Sequence, residues 1–222
     1  MSALLVYALR EPTRPTAPAR APGVAVSPEA LPPAFWRVVV LLTVFSLVNF
    51  PDALLLLRLH EIGFSVSLVI LAYVTYNTVY AALSYPAGSV ADRLGHRLVI
   101  GVGLLVFAVA YAGLGLTENH AVAWLLLAGY GAFTGLTDGV GKAWVSSLLP
   151  GHQQGTGQGV FQGLLGGGVL VAGLWAGLAW GADGSVPLLV SGVVAGVIGL
   201  VVLVARPART TDHSRPDAPV VL

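Results

Sequence analysis

Between two long apolar stretches, the chain reads Gly88-Ser89-Val90-Ala91-Asp92-Arg93-Leu94-Gly95-His96-Arg97. This charged segment (residues 88–97) combines two glycines, an acid–base pair and a further base at fixed offsets. A membrane span requires only apolar residues, whereas this segment requires particular residue types at particular positions. It is therefore more specific than the hydrophobicity around it, and it distinguishes one kind of membrane protein from another.

The composition indicates an integral membrane protein. Hydrophobic residues make up 56% of the 222 residues and only 9% are charged, whereas soluble domains carry about 25% charged residues. The net charge of +1 argues against nucleic acid as a partner. The chain has no cysteine, and its five histidines are scattered without the spacing of metal ligands. We therefore expect neither thiol chemistry, nor a metal, nor a cofactor.

Six segments reach the roughly 20 apolar residues that a helix needs to cross the hydrocarbon core. They are residues 35–57, 66–91, 98–116, 121–149, 160–180 and 187–205. Residues 1–34 are predicted to be a helix stump and a Pro-rich linker, and residues 206–222 a disordered tail. Nine of the eleven Lys and Arg residues fall on the side of the two termini and the charged segment. The positive-inside bias then places that side in the cytoplasm.

The charged segment resembles the signature loop of the major facilitator superfamily of secondary transporters, Gly-x-x-x-Asp-Arg-x-Gly-Arg-Arg, with His96 in place of one base. The resemblance covers about residues 35–205. It implies an all-α membrane protein with six transmembrane helices as two inverted three-helix repeats, half of the family's fold. The gating residues it implies are Gly88, Asp92, Arg93, Gly95 and Arg97. Asp92 would be a conformational latch, Gly88 a close-packing site, and the arginines cytoplasmic ion-pair partners.

Ionisable residues inside the spans are expensive and usually face a cavity or a partner. The first span carries Asn49 and Asp52, with Arg58 near its end. In one interpretation, Asp52 and Arg58 lie near the outer headgroups and are solvated. In the other, Asp52 is a protonatable or substrate-facing carboxylate. The sequence leaves both interpretations open. Asp138 and Lys142, four residues apart in the fourth span, share one helix face. An intrahelical ion pair is the favoured interpretation there, and a pair that opens during transport is the alternative.

The second and later spans carry two further patterns. Tyr73, Asn77 and Tyr80 form a polar-aromatic stripe on the second span, which is expected either to line a cavity or to bond another helix. Glycines recur every fourth residue in ladders that let helix backbones approach closely. The ladders include Gly131, Gly135 and Gly139, and again Gly155, Gly159, Gly163 and Gly167. Packing is the preferred interpretation of these ladders, and hinges for alternating access are the alternative.

Two functional interpretations follow. In the first, the chain is the C-terminal half of a transporter in the plasma membrane, moving a small solute by alternating access. It would work with an N-terminal six-helix half or a second copy of itself, and proton coupling would use Asp52 or Asp138. In the second, it is a six-helix protein of another class, channel-like or structural, or a truncated half that does not transport. With no nucleophile elbow, His-Glu-x-x-His pair or cysteine, an enzyme is not expected.

Overall fold

The computed structural model describes residues 30–205, and the regular structure within this range is entirely helical. The helices are α1 (Pro33–Ser46), α2 (Asp52–Glu61), α3 (Val66–Leu94), α4 (His96–Leu116), α5 (His120–Ser147), α6 (Gln154–Leu178) and α7 (Ser185–Val204), with a short 3₁₀ turn at Gly151–Gln153 before α6. The all-α prediction is therefore confirmed for this range. The tail, and all but the last five residues of the predicted stump and linker, lie outside the described residues.

The predicted first span is two helices, so the prediction of one helix over residues 35–57 was wrong. The break lies at Leu47–Pro51, where the proline ring removes a backbone donor and disfavours helical backbone at the preceding residue. Side chains from other helices satisfy the freed carbonyl groups. The indole of Trp175 donates to the Leu47 carbonyl at 2.7 Å, and the hydroxyl of Tyr111 donates to that of Phe50 at 3.3 Å.

Four of the described helices are long and apolar enough to cross a membrane by themselves, namely α3, α4, α6 with the turn before it, and α7. The helix α1 is apolar but has only 14 residues. The helix α5 has 28 residues but carries Asp138 and Lys142. Of the six expected spans, four are thus single helices that are long and apolar enough to cross a membrane.

Helix pairing follows the positions of small residues. The helix α4 packs most extensively along α7, α3 packs along α5, and α1 packs along α6. At Gly131 and Gly135 an added Cβ would lie 2.5 and 2.9 Å from the carbonyl oxygens of Tyr76 and Tyr80. The packing interpretation of the ladders is therefore confirmed for these two glycines, which let α5 approach the backbone of α3.

The glycine ladder of α6 makes no such contact. At Gly155, Gly159, Gly163 and Gly167, nothing among the described residues comes within 4 Å of where a Cβ would lie, apart from the glycine's own helix and chain neighbours. This ladder faces open space, and within residues 30–205 it serves no helix packing.

The charged segment is mostly helical. The helix α3 continues to Leu94, and α4 begins at His96, so a single residue separates them. That residue is Gly95, with φ +91°, a backbone conformation that side chains with a Cβ rarely adopt. The sharp reversal between two long helices therefore depends on glycine at this position.

Candidate functional site

A cavity of about 220 Å³ lies between α1, α3, α4, α5 and α6, beside the break that separates α1 from α2. Four of the seven predicted substrate or proton residues line it: Asn49, Asp52, Asp138 and Lys142. The helix break places Asn49 there, and α5 contributes Asp138 and Lys142. The remaining lining is largely aromatic and aliphatic, with two threonines of α5, Thr134 and Thr137.

Asp52 is the first residue of α2 and is half-buried in this cavity. The hydroxyl of Tyr130 donates to its Oδ1 at 2.7 Å. The N-terminus of a helix is a favourable place for a negative charge, because the unpaired N–H groups carry partial positive charge. The ring of Tyr130 stacks on that of Tyr76 with centroids 5.3 Å apart. The carboxylate therefore lies in an aromatic environment, held by a neutral donor.

Asp138 and Lys142 form the intrahelical ion pair that the spacing favoured. The Lys142 Nζ lies 2.7 Å from Asp138 Oδ1, and the Tyr80 hydroxyl donates to Asp138 Oδ2 at 3.1 Å. The side chains of Lys142 and Asp138 remain 44% and 42% exposed. Next to this pair, the Gln158 amide donates to the Lys142 carbonyl at 2.8 Å and so ties α6 to α5.

The rest of the predicted stripe lies outside the cavity lining. The Asn77 amide donates to the Tyr73 carbonyl at 2.8 Å, within α3 itself. Tyr73 stacks on Tyr76 with ring centroids 5.5 Å apart and is otherwise exposed. Tyr80 reaches the cavity only through its bond to Asp138. Because the amide of Asn77 donates within its own helix, Asn77 does not need a partner on another helix. The cost of placing it against lipid is therefore smaller than the sequence pattern alone suggested.

Sequence reasoning missed two tyrosines that line the cavity, Tyr76 and Tyr130. Tyr76 lies one residue before Asn77, between the stripe positions. Tyr130 has a signal that would have found it, because it precedes Thr134 by four residues and Asp138 by eight. This spacing puts all three on one face of α5. The polar face of that helix therefore begins about two turns before Asp138, the first residue of that face singled out from the sequence.

The predicted gating residues surround a different place. Asp92 and Arg93 are exposed, and Asp92 borders a cleft of about 60 Å³ with Ser84, His96 and Gly139. At Gly88, no neighbouring helix of the described range comes within 4 Å of a Cβ position, so the close contact expected there is not made within that range. The guanidinium of Arg97 donates to the carbonyls of Val202 and Leu203, near the C-terminal end of α7.

Arg58 is buried and forms a clamp, in contrast to the solvated position considered from sequence. It is 5% exposed and donates to the carbonyls of Leu114, Thr117 and Asp183 at 3.1, 3.2 and 3.0 Å. Its guanidinium lies 3.7 Å from the Asp183 carboxylate. Beside it, the indole of Trp180 donates to the carboxylate of Glu61 at 2.8 Å. These contacts tie the end of α2 to α4 and to the turn between α6 and α7.

Long apolar helices, an interrupted first span and a charged cavity among the helices define a multi-pass helical membrane protein with a polar site inside its helical domain. The comparisons with known proteins agree. The profile of the Major Facilitator Superfamily matches residues 38–220, and the chain belongs to this family. Membership classes it with membrane transport proteins and not with enzymes.

A relative in Methanocaldococcus jannaschii, named as an uncharacterized MFS-type transporter, is 29% identical over 179 residues. The match covers 78% of this chain and 45% of the relative. The chain thus spans about half the length of the curated relative that it matches.

Proposed function

We propose that the chain forms one helical bundle of a secondary transporter that moves a small solute by alternating access, with the cavity at Asp52 as its binding site. The observation that carries the proposal is the cavity itself. It is lined by three ionisable side chains inside an apolar helical domain and lies beside an interrupted helix. Discontinuous helices at substrate sites are a recurring feature of transporters, since their free backbone groups can bind ligand or ions.

Helix pairing supports the two inverted triplets. If α1 and α2 count as one broken span, the triplets are α1/α2, α3 and α4, and then α5, α6 and α7. Exchanging the triplets turns the α1–α6 pair into the α5–α3 pair and maps the α4–α7 pair onto itself. These two relations support the proposed two-fold arrangement, whereas the extensive α4–α5 contact has only a weak counterpart in α1–α7.

Exposed surface supports a second bundle as partner, either elsewhere on the same polypeptide or on another one. The 29-residue helix α3 buries only Ala72, Tyr76, Ala87 and Ala91, and the glycine ladder of α6 is open. The half-exposed Asp138–Lys142 pair would be costly against lipid. A partner against α3 and α6 would cover these groups, and open glycines permit close helix contact.

The gating role of the charged segment belongs to the same proposal. Gly88 and Gly139 are open, and both border the cleft with Asp92. A helix end of the second bundle entering this cleft would bring a donor to Asp92 in one conformation and withdraw it in the other. We propose that this cleft and both termini lie in the cytoplasm, as the arginine distribution favours, and that the protein acts in the plasma membrane.

Accessibility tests alternating access, since the chain has no cysteine of its own. We expect Thr134→Cys, in the cavity, to react with a membrane-impermeant maleimide added from either side of the membrane, because each conformation opens the cavity to one side. Val197→Cys, exposed on α7, is the matched lipid-facing control and should react from neither side. Labelling of Thr134→Cys from one side only, under all solute gradients, would contradict alternating access; a steady ionic current would favour a channel.

Two further measurements test the partner and the coupling. Robust uptake by the purified chain as a proven monomer would exclude the need for a second bundle. For proton coupling, Asp52→Asn and Asp138→Asn are compared in the assembled transporter, since each removes one candidate carrier. Proton-coupled flux that survives both changes would exclude these two carboxylates as the carriers.

A further inference from the structure

We propose that the cavity binds a small organic cation, with its ammonium group against Asp52 and its apolar or aromatic body against the surrounding rings. The proposal names the substrate class of the transport site and so rests on the proposed function. It is carried by the charge of the cavity, the position of that charge and the chemistry of the wall.

The charge of the cavity is negative and is concentrated at Asp52. Three charged side chains line the cavity, and two of them, Asp138 and Lys142, neutralise each other at 2.7 Å. The donor held by Asp52 is the neutral hydroxyl of Tyr130. Within residues 30–205 Asp52 forms no ion pair. Such a carboxylate in a cavity of low polarity attracts cations strongly, because little solvent screens its field.

Lys142 is too far along α5 to neutralise Asp52. It lies twelve residues beyond Tyr130, about 18 Å at the rise of an α-helix, and its ammonium group is engaged by Asp138. Arg58, six residues after Asp52, is also engaged, since its guanidinium donates to three carbonyls outside the cavity. Arg58, the cation nearest to Asp52 in sequence, and Lys142, the cation of α5, are thus both engaged by other groups.

The wall of the cavity also favours a cation. Five aromatic side chains line it, namely Phe45, Tyr76, Tyr130, Phe133 and Phe161. Three of these form a stack, with centroids 5.3 Å apart for Tyr76 and Tyr130 and 5.6 Å apart for Tyr130 and Phe133. Aromatic faces attract alkylammonium groups and repel anions. The stack and the carboxylate therefore select the same sign of charge.

Size and hydrogen bonding narrow the ligand further. A carboxylate offers about four lone-pair sites, so the bond from Tyr130 leaves Asp52 able to contact the positive charge of an ammonium group, with or without an N–H. The volume of about 220 Å³ suits a cation with a single ring or short alkyl groups. Such a ligand would replace its hydration with one charge contact and several ring contacts.

The test measures binding to the purified full chain in lipid nanodiscs by equilibrium dialysis. The probe is benzyltrimethylammonium, which is a cation at every pH, and phenylmethanesulfonate is the anion of similar size. We expect saturable binding of the cation and affinity for the anion lower by about tenfold or more, from the cost of placing a second negative charge beside Asp52. Equal binding of the two probes, or no saturable binding of the cation, would overturn the proposal without any variant.

A variant pair then tests the position of the site. Asp52→Asn should weaken cation binding by about tenfold, because the contact with a charged group is lost. Glu118→Gln makes the same chemical change outside the cavity lining and should leave binding unchanged. Cation affinity that is the same in Asp52→Asn as in the unmodified chain would refute Asp52 as the counter-ion.

The failure of this proposal is distinguishable from that of the transport function. If the assembled protein transports a neutral or anionic solute and the chain binds no cation, the cation class is wrong and the transport function stands. If the chain binds the cation at Asp52 but the assembled protein moves neither this nor any other solute across proteoliposomes, the transport function is wrong and the cation site stands.

Discussion

Replacing Arg58 by methionine should destabilise the bundle at the end of α2, where the guanidinium joins three segments of the chain. Methionine retains much of the apolar stem and removes the guanidinium. The lost donors serve the carbonyls of Leu114 and Thr117, at the end of α4, and of Asp183, in the turn before α7. The last four carbonyls of a helix have no partner within that helix, so Arg58 supplies bonds that the backbone cannot make.

The magnitude follows from the number and setting of these bonds. Hydrogen bonds to charged groups contribute about 1.5–3 kcal/mol each, and Arg58 makes three while only 5% exposed. Water can replace part of this, because the carbonyls lie at helix ends and in a turn. We therefore expect Arg58→Met to lower the free energy of unfolding by about 3 kcal/mol. Arg58→Lys should fall in between, since an ammonium cannot reproduce the fork of donors.

Asp183→Asn is the matched control, because it removes the ion pair and keeps the backbone carbonyl that Arg58 contacts. Its side chain is about half exposed, and exposed ion pairs contribute little. Hydrogen bonds from the Ser185 hydroxyl and backbone N–H, with a smaller effect of Arg58, lower the pKa of the Asp183 carboxyl below its usual value. A lowered pKa means that the contribution is present at neutral pH and is lost as the pH falls through that value. The two variants should therefore differ clearly at neutral pH, where Asp183→Asn should cost little stability, and this small cost should disappear as the pH falls through the pKa of Asp183.

The assay is equilibrium unfolding of the purified chain in mixed micelles, followed by tryptophan fluorescence, which Trp180 beside the clamp makes sensitive. Two results would refute the reasoning. Unchanged stability of Arg58→Met would show that water replaces all three bonds. Equal destabilisation by Asp183→Asn and Arg58→Met would show that the ion pair, and not the carbonyl contacts, stabilises this end of the bundle.

Two other changes test the packing and the charged segment by the same unfolding assay. Gly131→Ala should lower stability by about 1–3 kcal/mol, because its Cβ would press on the backbone of α3. Gly163→Ala, in open space, should be neutral or raise stability by up to about 1 kcal/mol; equal loss in both would contradict the packing assignment. Arg97→Gln should lower stability by about 1–3 kcal/mol through loss of its bonds to the end of α7. Arg93→Gln changes an exposed residue and should leave stability unchanged. A larger loss in Arg93→Gln than in Arg97→Gln would show that the bonds of Arg97 to the end of α7 do not stabilise this part of the bundle.

The features predictable from sequence were those that depend on local spacing. The Asp138–Lys142 pair follows from a separation of four residues, and the boundary between two long helices, at Gly95, falls inside the charged segment. Contacts between residues far apart in the chain were not predictable. Tyr130 bonds Asp52 across 78 positions, and Arg58 reaches Asp183 across 125. Spacing on α5 marks Tyr130 as part of a polar face, but no local pattern pairs Tyr130 with Asp52 or Arg58 with Asp183.

The interruption at Pro51 shows why a visible signal was still not sufficient. A proline in an apolar run can kink a helix or end it, and the outcome depends on whether the freed carbonyls find donors. Here Trp175 of α6 and Tyr111 of α4 supply them, so the chain breaks into two helices. The same break turns Asp52 into the first residue of a helix. The position of Asp52 in the cavity, on which its proposed role depends, is thus a tertiary consequence of two aromatic side chains that the local sequence around Pro51 does not contain.

The distribution of small residues separates the bundle into a fixed part and an open part. Along the α4–α7 pair, an added Cβ at Gly192 would lie 2.8 Å from the backbone of Ala112, so these helices cannot slide without collision. On α6 the ladder glycines Gly155, Gly159, Gly163 and Gly167 meet nothing within the described residues, whereas Gly168 lies against Ser46 of α1. Most residues of α3 are exposed. A conformational change that leaves the α4–α7 and α3–α5 pairs intact and alters what covers the open faces of α3 and α6 would therefore disturb the fewest close contacts. The cavity lies between these two parts, where such a movement would alter its access.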